Sequence, residues 1–261
     1  MPGWKRIKPS DFIIDGLKAE QSRVFEVAET ASTFDEARSL GTVDEGATVY
    51  TRSQRTGVGR LKPVKTGGLW FTSVVYPRLS ATTTPLLILT TALSVVEGIA
   101  RTTGLQPLLR WPFEISLAGL RVASVSVEID AFNDLIVRAY AGGGVYCNVK
   151  PEESESGGLG DSTSISAEVG GEVDEKQLLQ NILSEFAREY DLYKAGWRVE
   201  LIDRIRDVME FIKTTVSVTL SNGTQLIGYV EDLDELGRIS LKVDHERIFL
   251  APAEVESVSL F

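Results

Sequence analysis

The stretch Thr214–Leu260, "TTVSVTLSNGTQLIGYVEDLDELGRISLKVDHERIFLAPAEVESVSL", decides the fold class. Apolar and β-branched residues alternate with polar ones at a period of two, the pattern of half-buried strands. Asn222-Gly223 separates two such runs, and a two-residue hairpin turn of the type that suits twisted strands needs positive φ at both central positions. Asp234–Gly237, "DELG", marks a second reversal. The spacing predicts a small barrel of five strands over residues 214–261.

Upstream the period changes. "KQLLQNILSEFAREYDLYKAG" (Lys176–Gly196) carries apolar residues at helical spacing, with Leu178–Phe186 as core, and "WRVELIDRIRDVMEFI" (Trp197–Ile212) reads as a further helix. "TTTPLLILTTALSVVEGIARTTG" (Thr82–Gly104) has Pro85 near its start and Gly104 after its end, as helices do. "STFDEARSLG" (Ser32–Gly41) is a short helix capped by Ser32 or Thr33. Strands are expected at Arg23–Thr30, Gly46–Gln54, Leu69–Pro77, and Asp134–Lys150. They are also expected on both sides of the Gly turn in "RWPFEISLAGLRVASVSVEI" (Arg110–Ile129). "PEESESGGLGDSTSISAEVGGEVD" (Pro151–Asp174) is acidic, Gly- and Ser-rich, and reads as a long mobile loop. A sheet with helices followed by a small all-β unit is an α+β protein. The division falls at residues 1–213 and 214–261.

Composition narrows the chemistry. The 261 residues are 43% hydrophobic and 25% charged, enough apolar material for a sizeable core, and carry a net charge of -10. That balance repels phosphate backbones and disfavours general nucleic-acid binding unless a basic patch is isolated on one face; the basic "WKRIK" near the N-terminus, the only such hint, is too short to matter much. Cys147 is the only cysteine and His245 the only histidine, so a disulfide framework, a cysteine zinc cluster and a multi-imidazole metal site are all excluded. His245, with no nucleophile motif nearby, reads as a surface residue. Residues 1–25 lack the apolar core of a signal peptide. The apolar run Pro85–Ala100, broken by Thr, Ser and Glu97, reads as a buried helix and not as a membrane span. A cytoplasmic location follows.

The loop "RTGVGRLKPVKTGG" combines Gly57, Gly59, Gly67 and Gly68 with Arg55, Arg60, Lys62 and Lys65, after Arg52. Backbone amides freed by glycine, beside cations, suit a phosphate or carboxylate. A mobile loop with solvated charges fits the same composition. "AGGGVYCNV" lacks dinucleotide-fingerprint spacing, so its glycines allow close backbone approach to a ligand or a neighbouring strand. Trp111-Pro112 can wall a pocket or pack in a core. The carboxylates of "PEESESGG" are a solvated run with no metal.

The order of the blocks resembles the biotin protein ligase family. "ETASTFDEA", "SQRTGVGR", "GGLWFTSVVYP", "RWPFE", "LRVASVSVE" and "GGGVYCNV" precede the small β unit. They are similar, in that order, to the family's E-T-x-S-T-N-x-x-A, Q-T-x-G-R-G-R, G-G-L-Y-F-S, K-W-P-N-D, K-x-x-G-I-L-x-E and G-x-G-I-N-x-N. The resemblance covers residues 23–261 and implies a class II synthetase-like mixed sheet followed by an SH3-like barrel, without the winged-helix DNA-binding domain of some members. It implies formation of biotinyl-5'-AMP from biotin and ATP, with Mg²⁺, then transfer of biotin to a lysine of a biotin carboxyl carrier domain. A homodimer through the catalytic sheet is a further implication.

Carried across by position, the resemblance assigns biotin contacts to Ser32, Thr33 and Gln54. It places Gly57, Gly59 and Arg60 in the loop that closes over the adenylate, Trp111 and Pro112 in the pocket wall, Gly142 and Gly144 beside the nucleotide, and Asn148 at the end of that block. Arg121 stands where the family has its key Lys. Arg121 and Arg60 are therefore the candidate catalytic cations, and Arg110 could share the phosphate work.

The departures fall where the chemistry should be. Phe34, Val58, Phe113, Glu114, Ser124 and Tyr146 replace family residues, and the loop after Arg60 is shortened and lacks its Trp. A planar guanidinium is not a compact ammonium, and Phe113 and Tyr146 add bulk. Three readings remain: an active ligase with an unusual site, a non-catalytic binding or regulatory relative, and a ligase for another small acid.

Overall fold

In a computed structural model the described residues are 5–6, 24–150 and 160–261. The rest of "WKRIK", Arg23, and the acidic run 151–159 lie outside them.

An eight-stranded sheet forms in the order β1 (Lys5–Arg6), β2 (Val24–Glu26), β3 (Ala47–Thr51), β4 (Gly68–Val75), β8 (Leu135–Tyr146), β7 (Leu120–Phe132), β6 (Glu114–Leu117), β5 (Leu108–Arg110). All pairs are antiparallel except β2–β3, so the sheet is mixed. A second, five-stranded antiparallel sheet follows, ordered β12 (Glu246–Leu250), β11 (Ile239–Val243), β10 (Gln225–Leu233), β9 (Thr215–Leu220), β13 (Val255–Leu260). The Asn222-Gly223 turn joins β9 to β10, with Gly223 at φ 83° and the Asn222 side chain accepting from Thr224 N.

Among the described residues five α-helices accompany the sheets: α1 (Thr33–Ser39), α2 (Thr84–Thr103), α3 (Ile165–Val169), α4 (Glu175–Ala195) and α5 (Arg198–Asp207). Ser32 caps α1, accepting from Phe34 N at 3.2 Å. Among the described residues one helical span, Ala81–Thr103, is long and apolar enough to cross a membrane, but 72% of its most apolar window is buried in the fold. The hydroxyls of Thr90, Thr91, Ser94, Thr102 and Thr103 on α2 each donate to the carbonyl four residues earlier, which lets a polar group sit in a buried helix. Gly98 allows α2 to lie directly on α4, since a Cβ there would meet Ile182 at 2.5 Å.

The large sheet has two differently covered faces. Tyr50, Leu69, Phe71, Val125 and Val145 pack under α2 and α4 in the main core. That core continues without a break into Val216, Val218, Leu233 and Leu241 of the second sheet. Val49, Trp70, Val74 and Tyr146 face the other way and are covered by Phe34 and Ala37 of α1 and by Val58, Leu61 and Val64 of the glycine loop.

Three expectations need correction. Residues 160–174 are not loop throughout: α3 forms there and Ile165 is fully buried, because capping by Ser164 and an apolar anchor outweigh the acidic composition. The glycine loop is anchored by three buried apolar side chains and not free. The helix expected over Trp197–Ile212 ends at Asp207, because Leu109 N bonds to Val208 O and Glu210 N to Leu109 O, drawing the chain alongside β5.

Candidate functional site

The site lies on the face covered by α1 and the glycine loop. Period-two alternation brings Trp70 and Thr72 of β4, Gly142 and Gly144 of β8, Ser124 of β7 and Glu114 of β6 onto this one face, since Trp70 pairs with Gly144, Gly144 with Ser124, and Ser124 with Glu114. Ser32 and Thr33 reach it from the start of α1. Gln54 bridges them to the loop: its Oε1 accepts from Thr33 N at 2.8 Å and its Nε2 donates to Thr56 O at 2.8 Å. The Thr72 hydroxyl donates to Thr33 Oγ1 at 2.9 Å. Of the groups assigned to a ureido ring, Thr33 and Gln54 are thus held to each other, while the Ser32 hydroxyl is taken up in capping α1.

The loop sits close on the sheet. A Cβ on Gly59 would lie 2.3 Å from Ser124 Oγ, and one on Gly57 would lie 2.1 Å from Leu61 O, so both positions require glycine. Tyr146 donates its hydroxyl to Lys62 O at 2.8 Å and pins the loop from below. The Trp70 ring and the Leu61 side chain occupy the space over Gly144, where a Cβ would meet them at 2.3 and 3.0 Å. Gly144→Ala should therefore destabilise the protein by about 1–3 kcal/mol, the usual cost of overpacking. A chemical-denaturation midpoint unchanged from wild type would contradict that packing.

The charged centre lies beside Ser124. Arg121, with 6% of its side chain exposed, is held on two sides. Its terminal nitrogens bind Asp161 in a bidentate pair at 3.0 and 3.1 Å, and its Nε lies 3.1 Å from Glu114 Oε2. That last contact has the distance of an ion pair but is not a hydrogen bond, so Arg121 Nε is buried without a hydrogen-bond partner; Glu114 Oε1 and Ser124 Oγ are likewise buried without one. Arg60 approaches Glu114 Oε1 from the loop, Nε at 3.6 Å. Partial burial pulls the Asp161 carboxyl up, but the Arg121 guanidinium outweighs it and holds Asp161 below the usual carboxylate range.

Other expected site residues turn elsewhere. Trp111 is buried in the main core and its indole N–H donates to Gly237 O at 3.1 Å, tying the large sheet to the turn between β10 and β11; Pro112 is buried beside it. Asn148 latches the start of α4, accepting from Val173 N and donating to Val173 O and Glu175 Oε1. Arg110 forms a bidentate pair with Glu210 at 2.8 and 2.9 Å and lies over the Phe211 ring, so it is committed to structure. Arg52 and Arg55 are paired with Glu26, Glu175 and Glu29. Asp161 was missed by sequence reasoning; an acid in a Gly- and Ser-rich run carries no signal of a partner forty residues away.

Known proteins resemble this chain in sequence and in fold. The chain is 29% identical over 153 residues to the bifunctional ligase/repressor BirA of Bacillus subtilis, covering 57% of this chain and 47% of that one. It is 27% identical over 187 residues to the BirA of Bacillus spizizenii, covering 68% and 57%. By sequence the chain is similar to these biotin ligases. It spans about half the length of the curated relatives it matches. No protein-family profile matches it. The biotin protein ligase of Aquifex aeolicus shares the fold at a TM-score of 0.77 and 20% identity, over 91% of this chain and 98% of that one. A biotin protein ligase-like protein of unknown function from Silicibacter shares it at a TM-score of 0.72 and 13% identity, over 93% and 97%.

Within the biotin protein ligase fold, the residues at this centre do not fit a Mg²⁺-bound triphosphate. Both nearby carboxylates are taken by guanidinium groups, and among the described residues no three acidic, His or Cys side chains gather at metal-ligand spacing.

Proposed function

We propose that this biotin protein ligase relative is a binding or regulatory protein for a small acid of biotin's class or for a biotin carboxyl carrier domain, with the adenylating chemistry reduced to background. One observation carries the reading: the two cations expected to meet the phosphates, Arg60 and Arg121, face Glu114 and Asp161 within the chain. In the family reaction the biotin carboxylate attacks the α-phosphorus of ATP and pyrophosphate leaves, so two anions must be brought together. Preorganised positive charge does that work, and each such group is typically worth about 3 kcal/mol of transition-state stabilisation. Here two cations and two carboxylates cancel, before any substrate enters. The bulk of Phe113, close to Gly59, and of Tyr146 adds to the obstruction.

The C-terminal sheet is read as an SH3-like barrel over 214–261, packed on the α2 face of the large sheet. Titration calorimetry with Mg-ATP should give no binding at micromolar concentration, and a micromolar Kd would overturn the reading. A second reading, an active ligase, draws on one fact: Asp161 and Arg60 are 66% and 47% exposed, so an incoming phosphate could displace that half of the pairing.

A further inference from the structure

On the opposite face of the sheet, between the β3–β4 end and α4, lies a cavity of about 380 Å³. It belongs to neither the glycine loop nor the charged centre, and its size falls in the range of small-molecule sites, roughly 300–1,000 Å³. Its walls are apolar: Val75, Leu183 and the stacked pair Phe186 and Tyr190, whose centroids are 5.6 Å apart.

The polar groups at its floor and rim have already spent their protons. Thr48 Oγ1 donates to Gly46 O at 3.0 Å, so its 2.7 Å contact with Ser73 Oγ uses the Ser73 proton. A hydroxyl has one proton and two lone pairs, which leaves Ser73 an acceptor only. The Tyr190 hydroxyl donates to Glu45 Oε1 at 2.7 Å. Glu45 and the exposed Asp191 line the mouth. Burial pulls Glu45 up, but Lys194, Tyr190 and the Tyr76 amide outweigh it and keep the carboxyl below its ordinary range. The rim already shows what it accepts: the Lys194 ammonium sits on Glu45 Oε2 at 2.9 Å and over the Tyr190 ring at 5.4 Å.

We propose that this cavity binds an organic ammonium ion with a flat apolar body, the ammonium meeting Ser73, Glu45 and Asp191 and the body lying against Leu183 and Phe186. An ammonium offers three donors and no acceptor, which matches acceptor-only walls, and aromatic faces attract it further. The chain's net charge of -10 concentrates cations near it.

Tryptamine, tryptophol and indole-3-propionate carry one ring system with an ammonium, a hydroxyl and a carboxylate. In calorimetry on the whole chain, tryptamine should bind at least ten times more tightly than tryptophol, and indole-3-propionate should not bind. Ala187→Phe, which fills the cavity, should abolish tryptamine binding, and Asp191→Asn, at an exposed position, should weaken it several-fold with the melting temperature kept. A lysine-bearing tripeptide that displaces tryptamine would place the natural ammonium on a protein side chain; failure to displace it would place it on a small molecule. Equal binding of the three compounds, no binding of tryptamine, or undiminished tryptamine binding by a folded Ala187→Phe protein would overturn the proposal.

Discussion

Glu114→Gln should turn the charged centre into an anion site, raising affinity for inorganic pyrophosphate by about 10- to 100-fold. Glutamine has nearly the volume of glutamate, so the packing of β6 against β7 is kept while one negative charge is removed. The local sum over Arg60, Arg121, Glu114 and Asp161 then moves from zero to +1. Two unit charges 4 Å apart interact by about 4 kcal/mol at the effective dielectric of a protein surface. The exposed halves of Arg60 and Asp161 are screened, which cuts this to roughly 1.4–2.8 kcal/mol, or one to two decades in affinity. Calorimetry at low salt reads the effect directly. Adding Arg121→Gln to the same chain should remove it. A folded Glu114→Gln protein whose pyrophosphate affinity is unchanged would show that Glu114 does not set the charge of the centre.

The largest effect on stability is expected at Trp111. Its ring is 2% exposed and lies in the core shared by the two sheets, and its N–H bond to Gly237 O ties that core to the β10–β11 turn. Trp111→Ala removes the packing and leaves a cavity, which typically costs about 3–5 kcal/mol. For a chain of this size that lowers the melting temperature by roughly 6–20 °C. Trp111→Phe keeps most of the packing but leaves the Gly237 carbonyl without its buried donor, at a cost of about 1–3 kcal/mol. Thermal unfolding followed by circular dichroism separates the two variants. A melting temperature of Trp111→Ala equal to that of the wild type would contradict a shared core.

Local chemistry explains why parts of this fold were legible in the sequence. Asn222-Gly223, the Ser32 cap, and Pro85 and Gly104 around α2 each act over a few residues, and each marks the element it predicts. The period of two in β4 and β8 places Thr72, Gly142 and Gly144 on one face for the same reason. Where tertiary contacts decide, sequence pattern falls short. Arg121 reads as a free cation until Asp161 is placed against it, and Arg110 until Glu210, a hundred residues on, is brought beside β5 by the end of α5. The choice between pocket wall and core for Trp111 depends on which way the strand end faces, and residue type alone leaves it open. The motif order carries the resemblance to biotin protein ligases, while the pairing of charges at the centre is visible only in three dimensions.

Pyrophosphate release from biotin and Mg-ATP, measured on the purified full chain beside the Arg121→Lys, Phe113→Asn, Glu114→Asp triple variant, tests the charge-compensated centre most directly. The wild-type chain should release pyrophosphate at the rate of the protein-free control, and the triple variant, with a compact ammonium and the bulk at Phe113 removed, should release it faster. Biotin-dependent release by the wild-type chain at or above the rate of the folded variant would contradict the account.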